Sequence, residues 1–340
     1  MLQIFIGIVL GAHLLFVSLA AAGPLVAIGL QWRAPRDPLA AGVGRRLAWL
    51  SVAALVIGAV LGLAVGAGLW NDAYAVVLRR LSSRIFFGVI ELCFSLVLLL
   101  AYAVWWRRPP ERAVLRIVHG ALAMLAGTNL LYHFPLLFVV LSDLVSTQSV
   151  HGESMGAGDF RELVSRPYVI ARAVHFVLAA GVVAGAAVIG IAWHSGGQTE
   201  SPDRRAAMWG ARIAIVPGLL QIPVGFWMIS QMPAAVQRRI MGSDGLAGVL
   251  LLLSVAIALW LLHQLSALAI GELTPRLMAR TVLLTVILVV MMTVAGRRAH
   301  DDASPSAGHM SGKGAGKYVS RGTQSQATGK VTQTHRHRRF

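Results

Sequence analysis

Eight long apolar runs follow one another along the chain, separated by short segments that carry most of its charges. The runs lie near residues 4–30, 47–70, 84–106, 114–141, 168–194, 208–231, 246–269 and 277–296. Each run is continuously apolar, without the alternation of a strand, and comes close to the roughly 20 residues that an α-helix needs to cross a bilayer. Backbone polar groups in lipid must bond internally, so the pattern predicts an all-α, polytopic membrane bundle of about eight transmembrane helices.

The last segment of the chain has a different composition. Residues 297–340 are rich in Gly, Ser, Thr, Lys, Arg and His, and this composition predicts a disordered basic C-terminal tail after a helical bundle formed by residues 1–296. The basic end, 335–340, is open to two interpretations, contact with anionic lipid or a solvated tail without a role. Metal binding by the tail histidines is a third interpretation, and it concerns His300, His309, His335 and His337.

The composition excludes a soluble domain and changes how the charge is interpreted. Hydrophobic residues make up 56% of the chain and charged residues 13%, and the mean hydropathy is +0.70. The net charge of +16 does not indicate a nucleic-acid partner, because most arginines lie in the short connections between apolar runs. The single cysteine, Cys93, excludes an internal disulfide, and the absence of a Cys-x-x-Cys-His motif excludes covalently attached heme.

The positions of the arginines predict which way the helices cross the membrane. Arginines are concentrated in the first, third, fifth and seventh connections: Arg33, Arg36, Arg45 and Arg46; Arg107, Arg108 and Arg112; Arg204, Arg205 and Arg212; Arg276 and Arg280. Basic connections favour the cytoplasmic side, so the N-terminus is expected outside. With eight helices the basic tail is expected outside as well.

Six histidines and one glutamate fall within the apolar runs or at their ends: His13, Glu91, His119, His133, His175, His194 and His263. Ionisable groups within a membrane are costly, and they mark functional sites with a partner. Four of them, His13, Glu91, His133 and His175, fall at a similar depth, about 10–15 Å below the outer surface at 1.5 Å per residue. This agreement predicts a layer of functional groups across four helices.

The chemistry of this layer favours heme. A neutral imidazole is a good ligand for heme iron, and a helix bundle forms a natural cage for the macrocycle. We therefore expect His13, His133 and His175 to be heme-iron ligands and Glu91 to be a proton acceptor or a further ligand. Met228 is a candidate for a second axial position. A proton relay and simple hydrogen bonding between helices remain as alternatives.

Glycines on the helix that carries His175 are open to two interpretations. Gly181, Gly185 and Gly190 would admit a flat ring, or they would allow ordinary close packing of small residues between helices. The pattern alone favours the packing interpretation.

Several short motifs, in this order, resemble subunit I of the cytochrome bd quinol oxidases over roughly residues 1–230. The opening 3–16 with His13, the glycine-rich stretch 61–71 and the run that contains Glu91 are similar to the first three helices of that family. Gly127-Thr128-Asn129-Leu130 is similar to its fourth helix. The segment from His175 to Trp193 is similar to its fifth.

The resemblance implies one or two hemes b, with His13 holding a high-spin heme and His175 holding a low-spin heme. It also implies a lipid-embedded subunit of a heteromeric respiratory complex in the bacterial inner membrane, with quinol as a possible electron donor. The chain departs from the family in several features, and it has no secure counterpart of the family's axial methionine. It lacks a second glutamate near Glu91, the long quinol-binding loop after the sixth helix, and the Gly-Arg-Gln-Pro-Trp motif.

Three functions follow as expectations. The first is a heme b-containing, cytochrome bd-like electron-transfer subunit, with oxidase activity left open by the missing motifs. The second is a proton-conducting or transporter-like bundle without heme, in which Glu91 and the histidines line a proton path. The third is a structural subunit without a cofactor.

Overall fold

A computed structural model of the chain describes residues 2–106, 112–146, 155–195 and 204–301. The tail from residue 302 onward, where disorder was expected, lies outside the described residues. The helices are α1 (Leu2–Arg33), α2 (Pro38–Gly68), α3 (Asp72–Arg80), α4 (Ser82–Trp105), α5 (Ala113–Ser146), α6 (Ala157–Val164), α7 (Pro167–Ser195), α8 (Arg205–Ser230), α9 (Ala234–Arg238), α10 (Gly245–Ile270) and α11 (Pro275–Asp301). A short π-helical turn, Arg239–Ser243, connects α9 with α10.

Eight of these helices are long and apolar enough to cross a membrane: α1, α2, α4, α5, α7, α8, α10 and α11. The predicted helical membrane bundle is thereby confirmed. Within the described ranges the short helices α3, α6 and α9 all lie on the side of the bundle where α1 begins, which we call the N-terminal side. The prediction that this side faces outward stays a prediction.

The second helix differs most from its predicted bounds. It begins at Pro38 rather than near residue 47, because the Asp37 carboxylate accepts a hydrogen bond from the Leu39 N–H (3.0 Å) and proline suits the first helical turn. Arg45 and Arg46 were assigned to the first connection, and this was wrong. Both lie on the exposed face of α2, so the connection shrinks to a few residues before Pro38.

The helices pack through small residues. α1 is central and contacts α2, α5, α7 and α11. A Cβ atom at Gly11 would lie 3.0 Å from the Cα atom of Val290, so α1 and α11 approach closely there. Lipid tails are as apolar as the side chains, so helix association in a membrane depends on such close packing.

Polar contacts hold the helix ends together on the N-terminal side. Asp244 caps α10 by accepting hydrogen bonds from the N–H groups of Leu246 (3.1 Å) and Ala247 (3.2 Å). Its carboxylate also pairs with Arg298 of α11 (3.1 Å) and with Arg239 (3.6 Å). α11 continues to Asp301, so Arg298 lies on the last helix rather than in the tail.

Candidate functional site

His13 is held between α1 and α2 by a hydrogen bond that fixes the proton on its ring. Its Nδ1 atom lies 2.8 Å from the carbonyl oxygen of Gly58, and since a carbonyl only accepts, Nδ1 donates. In the neutral ring the lone pair then resides on Nε2. Metal-binding histidines have this arrangement, with one nitrogen bound to a backbone carbonyl and the other free for the metal. Gly62 leaves room for the ring, because a Cβ atom there would lie 2.8 Å from Cε1 of His13.

His175 lies between α7 and α8 and is half-buried. Its Nδ1 atom is enclosed and has no hydrogen-bond partner among the described residues. A Cβ atom at Gly225 of α8 would lie 3.7 Å from its Cε1 atom. Gln221 donates a hydrogen bond from Nε2 to the His175 backbone carbonyl (2.8 Å), which ties α8 to α7 at this level. A buried ring nitrogen without a protein partner is suited to a bound group.

Gly181 and Gly185 of α7 serve helix packing rather than a ring. A Cβ atom at Gly185 would lie 2.5 Å from the carbonyl oxygen of Gly210 on α8, and one at Gly181 would lie 3.2 Å from Pro217. Atoms of α8 therefore occupy the space beside both glycines. Of the two interpretations, close packing of small residues accounts for them.

A hydrogen-bond network of Arg172, Tyr168 and His300 adjoins His175 on its N-terminal side. Arg172, one turn before His175 on α7, donates to the Tyr168 hydroxyl (3.2 Å), and that hydroxyl lies 3.3 Å from Nε2 of His300 on α11. The other ring nitrogen of His300 donates to the Gly296 carbonyl (2.8 Å), so Tyr168 donates to Nε2. Arg172 was not predicted as part of the site, although an arginine inside the run 168–194 is a visible signal.

Met228 lies three residues beyond Gly225 on α8. It packs with Tyr168, Ile229 and Leu251 against an apolar cluster that includes Met232. Gln221 and Gly225 of α8 contact His175, and Met228 lies one turn farther toward the N-terminal side.

Glu91 and His133 reach the same level on neighbouring helices. Asn129 of α5 donates from Nδ2 to the Ser95 hydroxyl (2.8 Å) and to the Glu91 backbone carbonyl (3.2 Å) of α4. Farther toward the N-terminal side, Gly88 faces Leu137, and a Cβ atom at the glycine would lie 3.3 Å from the leucine side chain. The two contacts place His133 opposite Glu91.

The ionisable side chains of this pair remain toward the surface of the bundle. His133 is exposed and Glu91 is half-buried. Across the described helices, no hydrogen bond or ion pair joins the two side chains. The structure thus separates His133, on the outside of the bundle, from His13 and His175, which lie between helices.

The other histidines are divided between core and surface. His119 of α5 is fully buried on the side opposite the N-terminal side, where Nε2 donates to the Tyr102 carbonyl (2.9 Å). His194 and His263 are exposed. Within the residues the structure covers, no three His, Cys, Asp or Glu side chains gather into a metal-binding group. A heme iron takes one or two axial side chains, and His13 and His175 suit that requirement as single ligands.

Comparison with known proteins shows the fold. No protein-family model matches the chain, and no curated protein does. A solved structure, the bd oxidase from Geobacillus thermodenitrificans, superposes on 88% of this chain and 87% of that chain with a TM-score of 0.69 and 13% sequence identity. The chain therefore has a bd oxidase-like fold, as the motif resemblance predicted.

Proposed function

We propose that the chain is a heme b-binding electron-transfer subunit of a respiratory membrane complex, with His175 and His13 as iron ligands. The proposal rests on the hydrogen bonding and surroundings of these two histidine rings within a bd oxidase-like fold. His13 has one ring nitrogen committed to a carbonyl, and His175 has a buried ring nitrogen without a protein partner. Each ring also faces a glycine, Gly62 or Gly225.

Several residues of the chain would have distinct roles in holding the heme. A bound heme b would supply a one-electron carrier in the membrane interior. The carbonyl of Gly58 would orient the His13 ring and raise the basicity of Nε2. Gln221 would hold α8 against α7 beside His175. Met228, on the same face of α8 as Gly225, is the proposed second ligand.

Further parts of the proposal concern protons and partners. Glu91 would act as a proton acceptor or as a ligand to a second heme. His133, on the surface of the α4–α5 pair, is better placed to contact lipid or a partner subunit than to bind a heme between helices. A quinol is the proposed electron donor, and partner subunits embedded in the same bacterial inner membrane would complete the complex.

A second candidate function rests on the α4–α5 pair. Asn129 connects the Ser95 hydroxyl with the Glu91 backbone carbonyl across this contact, and intramembrane polar groups that link two helices are typical of a proton path. In this candidate the bundle conducts protons without heme.

The test is a heme assay on the full-length protein. The purified protein in detergent should give the absorption bands of a reduced heme b and a pyridine adduct spectrum of the same type. A colourless preparation made with adequate heme supply would contradict the proposal and leave the proton-conducting and structural candidates. A His263→Ala variant is the matched control, since this exposed histidine should leave the heme content unchanged.

A further inference from the structure

A buried polar cluster lies far from the proposed heme ligands, on the side of the bundle opposite the N-terminal side. It consists of Gln31 of α1, Tyr102 and Trp106 at the end of α4, and His119 of α5. All four side chains are at least 98% buried. Two acceptors, Gln31 Oε1 and His119 Nδ1, and two groups that can donate, Trp106 Nε1 and the Tyr102 hydroxyl, make no close hydrogen bond to the protein, although the Trp106 N–H also lies near the Tyr102 hydroxyl.

Contacts among the four side chains and their helices bring them together. The His119 ring lies 4.3 Å from the Tyr102 ring and 5.8 Å from the Trp106 indole, centroid to centroid. Gln31 reaches the next residue of α5, because a Cβ atom at Gly120 would lie 3.8 Å from its amide. The Trp106 indole fills the space in front of Gly44 of α2, where a Cβ atom would meet it at 2.6 Å.

The hydrogen bonds that are made fix which atoms remain. Gln31 donates from its amide nitrogen to the Arg116 carbonyl (2.7 Å), so the nitrogen and oxygen cannot be exchanged and Oε1 remains as an acceptor. Nε2 of His119 donates to the Tyr102 carbonyl, so Nδ1 of the neutral ring remains as a second acceptor. Trp106 Nε1 can only donate, and the Tyr102 hydroxyl can do either.

This set is complementary to water. A water molecule donates two hydrogen bonds and accepts others, and buried water in proteins makes about three bonds to polar groups that otherwise lack partners. Leaving such groups unsatisfied in a buried site is costly. An apolar ligand would satisfy none of the four atoms.

We infer that the cluster formed by Gln31, Tyr102, Trp106 and His119 binds ordered water inside the membrane-spanning bundle. The water donates to Gln31 Oε1 and His119 Nδ1 and accepts from the Trp106 N–H and the Tyr102 hydroxyl. His119 thereby becomes a side chain whose ring nitrogen accepts a hydrogen bond from water although no part of it reaches the surface.

The direct test is a cryo-electron microscopy map of the full-length protein at a resolution that shows ordered water. The inference expects density within hydrogen-bond distance of Trp106 Nε1 and of His119 Nδ1 or Gln31 Oε1. A dry cluster at that resolution, or side chains that pair directly with one another, would overturn it.

Deuterium exchange of the His119 ring is an independent test in solution. The C2 hydrogen of a histidine ring exchanges with deuterium only where water reaches the ring, and mass spectrometry of the protein in lipid nanodiscs follows that exchange. His119 should exchange, and Gln31→Leu, which introduces an apolar side chain into the cluster, should slow it several-fold. Exposed His194 is the control and should exchange equally in both proteins.

The outcomes of this measurement are also decisive. Absence of exchange at His119 in the wild type, or an equal rate in the variant, would contradict water binding. If Gln31→Leu does not fold, the wild-type map and the wild-type exchange of His119 against His194 still decide the matter.

Discussion

The Nδ1 atom of His13 donates a hydrogen bond to the carbonyl oxygen of Gly58 across the α1–α2 contact, at 2.8 Å. The bond holds the ring in one orientation and leaves Nε2 as the nitrogen with a lone pair in the neutral form. One turn along α2, Gly62 provides the space in which the ring lies. The geometry of His13 therefore depends on two backbone positions of α2 that carry no side chain.

The first prediction concerns that space. Gly62→Ala should displace the His13 ring, because the new Cβ atom would lie 2.8 Å from Cε1. We expect a loss of about 1–3 kcal/mol in unfolding free energy, as for other overpacked sites, together with a changed spectrum of any heme bound at His13. Thermal unfolding and absorption spectra of the purified protein measure both effects.

Gly66→Ala is the matched control on the same helix. A Cβ atom there would meet only the Tyr74 hydroxyl, at 3.9 Å. Alanine is the better helix former by about 0.5–1 kcal/mol, so this variant should be neutral or slightly stabilised. Equal behaviour of the two variants would show that the ring of His13 is not confined by Gly62.

The second prediction concerns the close approach of α7 and α8. Gly185→Val should destabilise the bundle strongly, because even a Cβ atom would collide with the Gly210 backbone, which is unable to rotate away. Gly190→Ala should be tolerated, since its Cβ atom would meet only Val282 at 3.8 Å. Melting temperatures in the same detergent compare the two. A tolerated Gly185→Val would mean that the helices are farther apart here.

The third prediction concerns pH and Asp244. The hydrogen bond from the Ala247 N–H, assisted by Arg298, holds the pKa of Asp244 below its usual range, while partial burial opposes the shift. A carboxyl group whose pKa is lower in the folded state stabilises the fold above its unfolded pKa of about 4. That stabilisation is lost as the pH falls through the folded pKa.

Asp244→Asn separates the charge from the cap. Asparagine keeps the helix cap but removes the carboxylate that pairs with Arg298, so the variant should be less stable than wild type at neutral pH. The difference should shrink as the pH is lowered below about 4, where wild-type Asp244 becomes protonated. Unfolding midpoints measured from pH 7 downward with both proteins test this. A difference that stays constant with pH would contradict the role of the charge.

The fourth prediction concerns the proposed second ligand. Met228→Leu conserves side-chain volume, so its packing effect should stay below about 1.5 kcal/mol. If the sulfur of Met228 binds the iron opposite His175, the variant should convert low-spin heme into high-spin heme. Met232→Leu, in the same apolar cluster, is the control and should keep the low-spin signal. Low-spin heme in both variants would exclude Met228 as a ligand.

The sequence was sufficient for the helices because a membrane span is determined locally. An apolar run of sufficient length must be helical in lipid, so all eight spans could be located from their composition. The start of α2 was misplaced because the cap at Asp37 and Pro38 extends the helix into a stretch that also carries Arg45 and Arg46. The charges of Arg45 and Arg46 indicated a connection at this position, whereas Asp37 and Pro38 indicate the start of the helix correctly.

The site could be predicted only in part because its geometry depends on contacts between helices. Depth along each helix placed Glu91 and His133 at one level, and the Asn129 contacts agree with this. Depth says nothing about direction around a helix, so it could not tell that His133 is exposed while His175 lies between helices. For the same reason the carbonyl partner of His13 and the glycine beside His175 were beyond prediction.

The most direct test of the central claim is the low-spin heme signal of three samples: wild type, His175→Gly, and His175→Gly supplied with free imidazole. Glycine removes the ring and leaves space for imidazole beside Gly225. If His175 binds a heme b iron, the signal should be present in wild type, lost in the variant and regained with imidazole. An unchanged signal in the variant, or no heme signal in any of the samples, would contradict the claim.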